Sequence, residues 1–443
     1  MRIQQAIIHF SLLLLLHAVG IGTVNANELL FSDCNSCCDL TEEMLCVQNS
    51  CNSSAIECGD SNRLWERIHR NMEQDGITFE GDVIQFYQGV VHGGRTERFR
   101  YSGHADYQLS FDLETMAGME GWSVELRGEH RWGQLSAQDA GAILPPALYS
   151  ATPVPDSEKL ILSNLIFTKV VDEHLTVFFG KLDTLDGDQN PFASGRGKDQ
   201  FMNTSLILPV HALPTVPLST LGAGAVYSVD GLPLAQLIVM NAEDTVSTSG
   251  FDELFEEGVL ILGGINLPTS INGKLGIHTF SGAWNSRNFT DLNQDGRLII
   301  PNTPIEETSG SWVFWWSGAQ YLYQNPCDPT KGWGLFGRAG FSDANVNPVK
   351  YFFNAGIGGN SPISGRENDL FGIGWFYNRI SNELGPVANA ALAIGSSTTG
   401  VEMYYNYAVT SQVRITGDLQ VLEPASQTAN TALLCGLRLE IDF

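Results

Sequence analysis

The last eleven residues put Leu433, Cys435, Leu437, Leu439, Ile441 and Phe443 on one face of an extended strand, with Leu434, Gly436, Arg438, Glu440 and Asp442 on the other. Successive side chains of a strand point to opposite faces, so this segment needs an apolar medium on one side only. The same period of two runs upstream. Tyr101, Gly103, Ala105, Tyr107, Leu109, Phe111 and Leu113 oppose Ser102, His104, Asp106, Gln108, Ser110 and Asp112, and Trp122, Val124 and Leu126 oppose Ser123, Glu125, Arg127, Glu129 and Arg131. Val401, Met403, Tyr405, Tyr407 and Val409, then Val413, Ile415, Leu419 and Val421, repeat the pattern.

Half-buried strands of a soluble sandwich also alternate, so connection lengths must decide. Sixteen candidate strands lie near residues 77, 100, 120, 159, 174, 222, 233, 258, 272, 311, 332, 350, 368, 400, 412 and 432. Short turns at Met116–Gly121, Asp172-Glu173, Asp230-Gly231, Pro268–Asn272 and Thr410-Ser411 alternate with long loops at Gly133–Lys159, Asp183–Leu221, Ala242–Glu257 and Gly282–Gly310. Transmembrane barrels have short periplasmic turns and long external loops; a sandwich has no reason to sort its connections this way. The spacing predicts an all-β fold, an antiparallel up-and-down transmembrane barrel of sixteen strands over 77–443. A strand ending on an aromatic with apolar residues at every second position is also the signal that outer-membrane assembly machinery reads, which gives Phe443 a role beyond packing.

The start of the chain agrees with export. Arg2, an apolar run through Leu12–Leu16 and small residues before Ala26 read as a signal peptide over 1–26. Residues 27–62 hold Cys34, Cys37, Cys38, Cys46, Cys51 and Cys58; in an oxidising compartment such a cluster reads as a disulfide-stapled periplasmic module. The Cys34–Cys37 spacing would also suit zinc, but no second well-spaced pair and no histidine lies within the segment, so no metal and no cofactor is expected. Leu64, Ile68 and Met72 then recur at helical spacing, and Gly76 ends a short helix over 63–76. No later stretch has the ~18 consecutive apolar residues of a spanning helix. With 49 acidic against 24 basic residues the net charge is −25, which disfavours phosphate backbones, so nucleic acid is not an expected partner.

The chain resembles the carbohydrate-selective porin family of the OprB type, on Gly93-Gly94, Asp106–Glu114, Gly118–Gly133, Phe178-Phe179-Gly180-Lys181, Phe201-Met202-Asn203, Gly334–Arg338, Gly356-Ile357-Gly358, Arg366, Asp369 and Gly372-Ile373-Gly374. That resemblance implies a water-filled, sugar-selective pore in the outer membrane, with the N-terminus periplasmic. The cysteine segment is not a feature the resemblance accounts for. Lipid, permeating sugars and the assembly machinery are the partners it implies, with homo-oligomerisation left open.

A pore selects a neutral polyol with hydrogen-bonding charged pairs and aromatic platforms. The densest such set is Glu125, Arg127, Glu129 and Arg131, four charges of alternating sign on one strand face. Facing lipid, each arginine near the midplane would cost about 2–4 kcal/mol, so the ladder is predicted to face the lumen; Asp106, Arg338 and Arg414 share its parity. The alternative is that these charges neutralise one another and solvate the wall. By resemblance, the long segment carrying Asp186, Asp188, Asn190, Phe192, Arg196 and Lys198 could fold inward and constrict the channel; otherwise it is a solvated surface loop. Asp291 to Gly296 matches the first half of a calcium loop, but position 12 is Asn302 rather than a carboxylate. Trp312, Phe314, Trp315, Trp316, Tyr321 and Tyr323 read as an interfacial girdle, with one or two available as sugar platforms.

Two other functions compete with passive sugar diffusion: a structural barrel anchoring the envelope through the cysteines, and a secreted β-rich glycosidase. The sequence has no Gly-x-Ser-x-Gly elbow and no His-Glu-x-x-His helix, and acidic residues alone nominate no catalytic pair, so no enzyme is expected.

Overall fold

Each period-two run folds as a strand in the computed structural model, which describes residues 60–443 other than 154–158, 301 and 327. The first eight are β1 (Ile77–Gly94), β2 (Phe99–Asp112), β3 (Trp122–Gly133), β4 (Ile161–Val170), β5 (Leu175–Asp183), β6 (Ser219–Val229), β7 (Leu232–Asn241) and β8 (Val259–Ile271). The second eight are β9 (Lys274–Thr290), β10 (Glu307–Asn325), β11 (Asp328–Ser342), β12 (Val349–Asn360), β13 (Leu370–Ile380), β14 (Ser397–Ala408), β15 (Val413–Glu423) and β16 (Asn430–Asp442). Neighbours in sequence pair antiparallel, and β1 pairs with β16, so the sheet closes. Closure removes the open edges that no strand can carry through hydrocarbon.

Phe443 completes the seam. Its amide donates to the Gly81 carbonyl at 2.9 Å, and its carbonyl accepts from the Gly81 amide at 3.0 Å. A Cβ at Gly81 would stand 2.7 Å from the Phe443 ring, so the bare backbone there gives the ring its seat beside Phe79 and Tyr107.

The alternation sorts outside from inside. Leu237, Ile265 and Leu437 are more than half exposed on the outer surface, whereas Arg438, next to Leu437, is fully buried. At one end the turns are tight: Asp230-Gly231 and Asn272-Gly273 hold both central residues at positive φ, the two-residue hairpin geometry that matches strand twist. The loops at the other end, numbered in chain order, include L2 (134–160), L3 (184–218), L4 (242–258), L5 (291–306) and L7 (381–396).

Two connections differ from expectation. β8 continues to Ile271, past the turn expected at Pro268, and β9 and β10 reach to Thr290 and from Glu307, shortening the loop expected over Gly282–Gly310. Beyond the lipid both faces of a ribbon meet water, so pairing continues where the apolar signal has faded. The helix before the barrel, α1, covers Asp60–Gln74 rather than 63–76, with Ile68 exposed; Gly76, at φ +80, turns the chain into β1. The signal peptide, the six clustered cysteines and Cys327 lie outside the described residues. Cys435 is a half-buried free thiol on the outer face.

The apolar core lies inside the barrel, where Phe192, Phe201, Leu206 and Ile207 of L3 pack against Phe336, Phe376 and Tyr404 of the wall. Among the described residues no helix is long and apolar enough to cross a membrane.

Leu437 pairs with Tyr87 and Gly417 midway along the seam. Leu437→Lys, which costs about 2–4 kcal/mol against lipid, should abolish the heat-modifiable folded band on a gel. Arg438→Ser should retain it. Equal tolerance of the two variants would mean that the inside and outside faces are exchanged.

Candidate functional site: a lumen narrowed by L3

L3 leaves β5, crosses the barrel interior and returns to β6, gripped on the way by side chains of eight consecutive strands. On β9, Asn285 Nδ2 donates to the Thr215 carbonyl at 2.8 Å, and on β10 Ser317 donates to Asp188 at 3.3 Å. On β11, Arg338 pairs with Asp188 at 2.6 Å and donates to the Leu206 and Ala193 carbonyls. Asn354 of β12 donates to the Ser205 carbonyl at 2.8 Å, and Asn378 of β13 to the Ser205 hydroxyl at 2.9 Å. Glu402 of β14 accepts the Met202 and Asn203 amides at 2.6 and 2.9 Å, and Asn406 donates to the Asp199 carbonyl at 2.9 Å. Gln420 of β15 accepts from Asn203 Nδ2 at 2.9 Å, while Arg438 of β16 donates to the Gly197 and Gln200 carbonyls at 2.7 and 3.0 Å. A loop buried in a lumen carries unpaired backbone groups that must find partners; the inward faces of these strands supply them.

The glycines of β11 and β13 make room for this loop. A Cβ at Gly334 would meet the Phe192 ring at 2.7 Å, one at Gly372 the Phe201 ring at 2.6 Å, and one at Gly374 Leu206 at 2.9 Å. These positions belong to the glycine-rich blocks picked out from the sequence, and their use is spatial: they are slots in the wall for the side chains of L3.

On the opposite side the grip is ionic. Arg196 of L3 pairs with Glu129 of β3 and Asp183 of β5, and lies 2.9 Å from Asp186. Arg127 pairs with Asp186, stands 3.5 Å from Asp106 and donates to Gln108 at 3.0 Å. Burial pushes the Asp186 carboxyl up, but the Arg127 and Arg196 guanidiniums more than offset this and hold it below the usual carboxylate range. Lys198 bridges Asp82 of β1 and Asp442 of β16 at 3.0 and 3.1 Å.

Of the residues singled out from sequence, Arg127, Glu129, Asp106, Asp186 and Arg196 therefore form one cluster, and Asp188 joins Arg338 in a second. Arg131 donates to the Pro153 carbonyl of L2 at 3.1 Å. Glu125, at the periplasmic end of the ladder, accepts from Asn164 at 2.7 Å. Arg414 lies apart near the turns, donating to the Asn368 carbonyl and to Asn406.

The aromatic group of β10 divides between the two faces, by parity as far as Tyr321, after which a register shift turns Tyr323 outward. Trp312, Phe314 and Tyr323 are exposed on the outer surface, while Trp315 and Tyr321 turn inward, Tyr321 against Phe192 at 4.7 Å. The Asp291–Gly296 segment does not gather its oxygens: the Asp295 carboxylate accepts the Val387 and Ala388 amides of L7 at 3.0 and 3.1 Å, and Asp291 accepts from Thr308.

Sequence reasoning passed over two contributors. L2 enters the lumen as well: the Tyr149 hydroxyl donates to Asp82 at 3.0 Å, His104 contacts the Thr152 carbonyl at 2.8 Å, and the Leu148 amide donates to the Met202 carbonyl of L3 at 2.9 Å. The amide side chains Asn285, Asn354, Asn378, Asn406 and Gln420 were the other omission; their signal is an Asn or Gln at inward parity within a strand.

On its remaining side L3 meets the wall through apolar contacts, Ala212 and Val216 against Leu182, Met240, Leu260 and Leu262. Between it and β4–β9 is a cavity of about 190 Å³, lined in part by Glu125, Asn164, Asp186, Gln236 and Trp315. Gly187 at its mouth is exposed.

A family model described as "Carbohydrate-selective porin, OprB family" matches residues 96–443. Among solved structures, Pseudomonas putida OprB at high pH is similar with a TM-score of 0.75 at 17 % identity, covering 86 % of this chain and 97 % of that one. Its low-pH structure gives 0.52 at 15 % identity over 86 % and 96 %. Salmonella typhi OmpF in complex with daunomycin gives 0.50 at 7 % identity over 83 % and 98 %. At such identities the structural likeness establishes the fold alone. No curated protein sequence matches the chain.

Two expected outcomes follow from the grip on L3. Arg196→Met leaves Glu129 and Asp183 buried without their cation, a loss of about 3–5 kcal/mol, and should give larger, noisier single-channel conductance; an unchanged trace would mean that L3 is held without this cluster. The second concerns His211, stacked on Phe352 with Nε2 donating to the Phe314 carbonyl at 3.0 Å. Burial pushes its pKa down to about 4. The docked loop thus favours the neutral ring, so its contribution is present above the ordinary value of ~6.5 and is lost as pH falls from there towards 4. Conductance noise should rise across that window in the parent and rise less in His211→Gln.

Proposed function

This chain belongs to the carbohydrate-selective porin, OprB family, and from that premise we propose a route for the sugar through its outer-membrane barrel. The observation that carries the proposal is the one-sided grip on L3. The loop's polar and ionic holds lie on β9–β16, β1 and β3, and the space left to the solute is the cavity facing β4–β8.

On that side Glu125, Asn164, Gln236 and Ser281 offer hydrogen-bonding groups and Trp315 an aromatic face. A hexose ring has hydroxyls around its edge and weakly apolar faces, and this combination meets both. Binding must stay weak, because a pore conducts only what it releases. Glu125 is the rung of the ladder best suited to sugar contact: its partner is a neutral amide, whereas Arg127 and Glu129 are engaged by L3. Asp186 and Arg196 set the width by holding the loop, and their contribution to selectivity is steric. Arg414, near the turns, meets the solute after the constriction. The assembly machinery of the outer membrane fits as the partner of the last strand, through the apolar face that ends in Phe443.

The purified barrel in a planar bilayer should give stable conductance steps that added glucose blocks. A silent bilayer, or steps indifferent to sugar, would exclude the route. Glu125→Ala should weaken the block about fivefold, the loss of one hydrogen bond of ~1 kcal/mol, with the conductance steps retained.

A further inference from the structure

The cavity beneath L3 is lined unlike a path for a bare polyol. Its wall carries Ile166, Phe178, Leu182, Ile238, Met240 and Leu262, all pointing inward from β4, β5, β7 and β8. Leu208, Leu213 and Val216 of L3 cover it. Inward positions of a water-filled barrel are ordinarily polar; on β9–β16 polar residues hold L3, and the apolar exceptions Phe336, Phe376 and Tyr404 are covered by its side chains. A patch of aliphatic side chains on the lumenal face therefore calls for an apolar occupant.

Its shape fits a small ring. An apolar cavity of roughly 150 Å³ stays dry and takes up benzene, and this one is about 190 Å³. From Leu182 to Phe178 on β5, and from Met240 to Gln236 on β7, the lining descends four residues towards the periplasmic turns, about 13 Å at strand rise. Polar groups stand at its borders, Glu125 and Asn164 with Asp186 and the exposed Gly187 on one, and Gln236 and Ser281 on the other. A molecule with an apolar ring and a sugar would fill both parts: the ring under L3, the sugar at Glu125. Buried hydroxyls without partners are costly, so a free hexose gains nothing from the aliphatic part.

We infer that the cavity under L3 is an aglycone subsite, so that the barrel holds glycosides carrying an aryl or short alkyl group in preference to free sugars. This rests on the reading that sugars pass on the β4–β8 side of L3. The contact is non-covalent and leaves the glycosidic bond intact.

Single-channel recordings of the full barrel with methyl β-glucoside, phenyl β-glucoside and phenol as blockers test it. Phenyl β-glucoside should block with a dwell roughly tenfold longer than methyl β-glucoside, since burying a ring is worth a factor of that order or more, and phenol should give no resolved block. Ile166→Asn and, separately, Ile238→Ser make the wall polar without narrowing the bore; each should reduce the phenyl glucoside dwell to the methyl glucoside value and leave the latter unchanged. Both positions face the lumen, and a heat-modifiable band confirms assembly of each variant. Equal dwells for the two glucosides in the parent would overturn the subsite while sugar block itself persists. A phenol block as long as that of phenyl β-glucoside would also overturn it, since the cavity would then take any apolar molecule. Absence of block by every sugar would instead remove the route on which the inference stands.

Discussion

Everything in this barrel depends on the seam where β1 meets β16. In hydrocarbon an amide or carbonyl without a partner costs several kcal/mol, so fifteen ladders would still leave two ruinous edges. Pairing from Asp82–Asp442 up to Gly94–Asn430, completed by Phe443 on Gly81, removes them. Once closed, the wall presents a fixed ring of inward side chains, and that rigidity makes the grip on L3 effective. A flexible wall would give way to the loop.

The charges of the lumen take their meaning from this grip. Buried ion pairs return little net stability, because desolvation cancels much of their attraction, yet losing one member is severe. Arg196 between Glu129 and Asp183, and Arg338 on Asp188, are such pairs. They specify where L3 sits more than they strengthen the barrel. The aliphatic strip from Ile166 to Leu262 does the converse: it makes no directional bonds to the loop above it and leaves space there.

The wall was legible in the sequence because its signal is periodic. Leu437 against Arg438 and Glu125 against Leu126 are readable from parity alone, and the alternation of short and long connections orients every strand. The pairing of Arg127 with Asp186, and of Glu129 with Arg196, spans 59 and 67 residues, and nothing in the local pattern announces a partner so distant. L2 was missed for the same reason: Tyr149 and Thr152 look like ordinary loop residues until Asp82 and His104 are placed beside them. The aromatic group of β10 was half readable. Parity separates Trp315 from Trp312 and Phe314, but a single label for the whole cluster hides the difference. The ribbon extensions of β9 and β10 escaped because hydrogen bonding continues where hydrophobic alternation stops.

The holds on L3 also set a sequence of events. The loop is made in the first half of the chain, yet Glu402, Gln420 and Arg438, which take its amides and carbonyls, arrive on the last three strands, and Lys198 needs both Asp82 and Asp442. L3 therefore has no finished seat until synthesis and insertion are complete. The narrow passage takes its final shape only when the last strand has closed the wall.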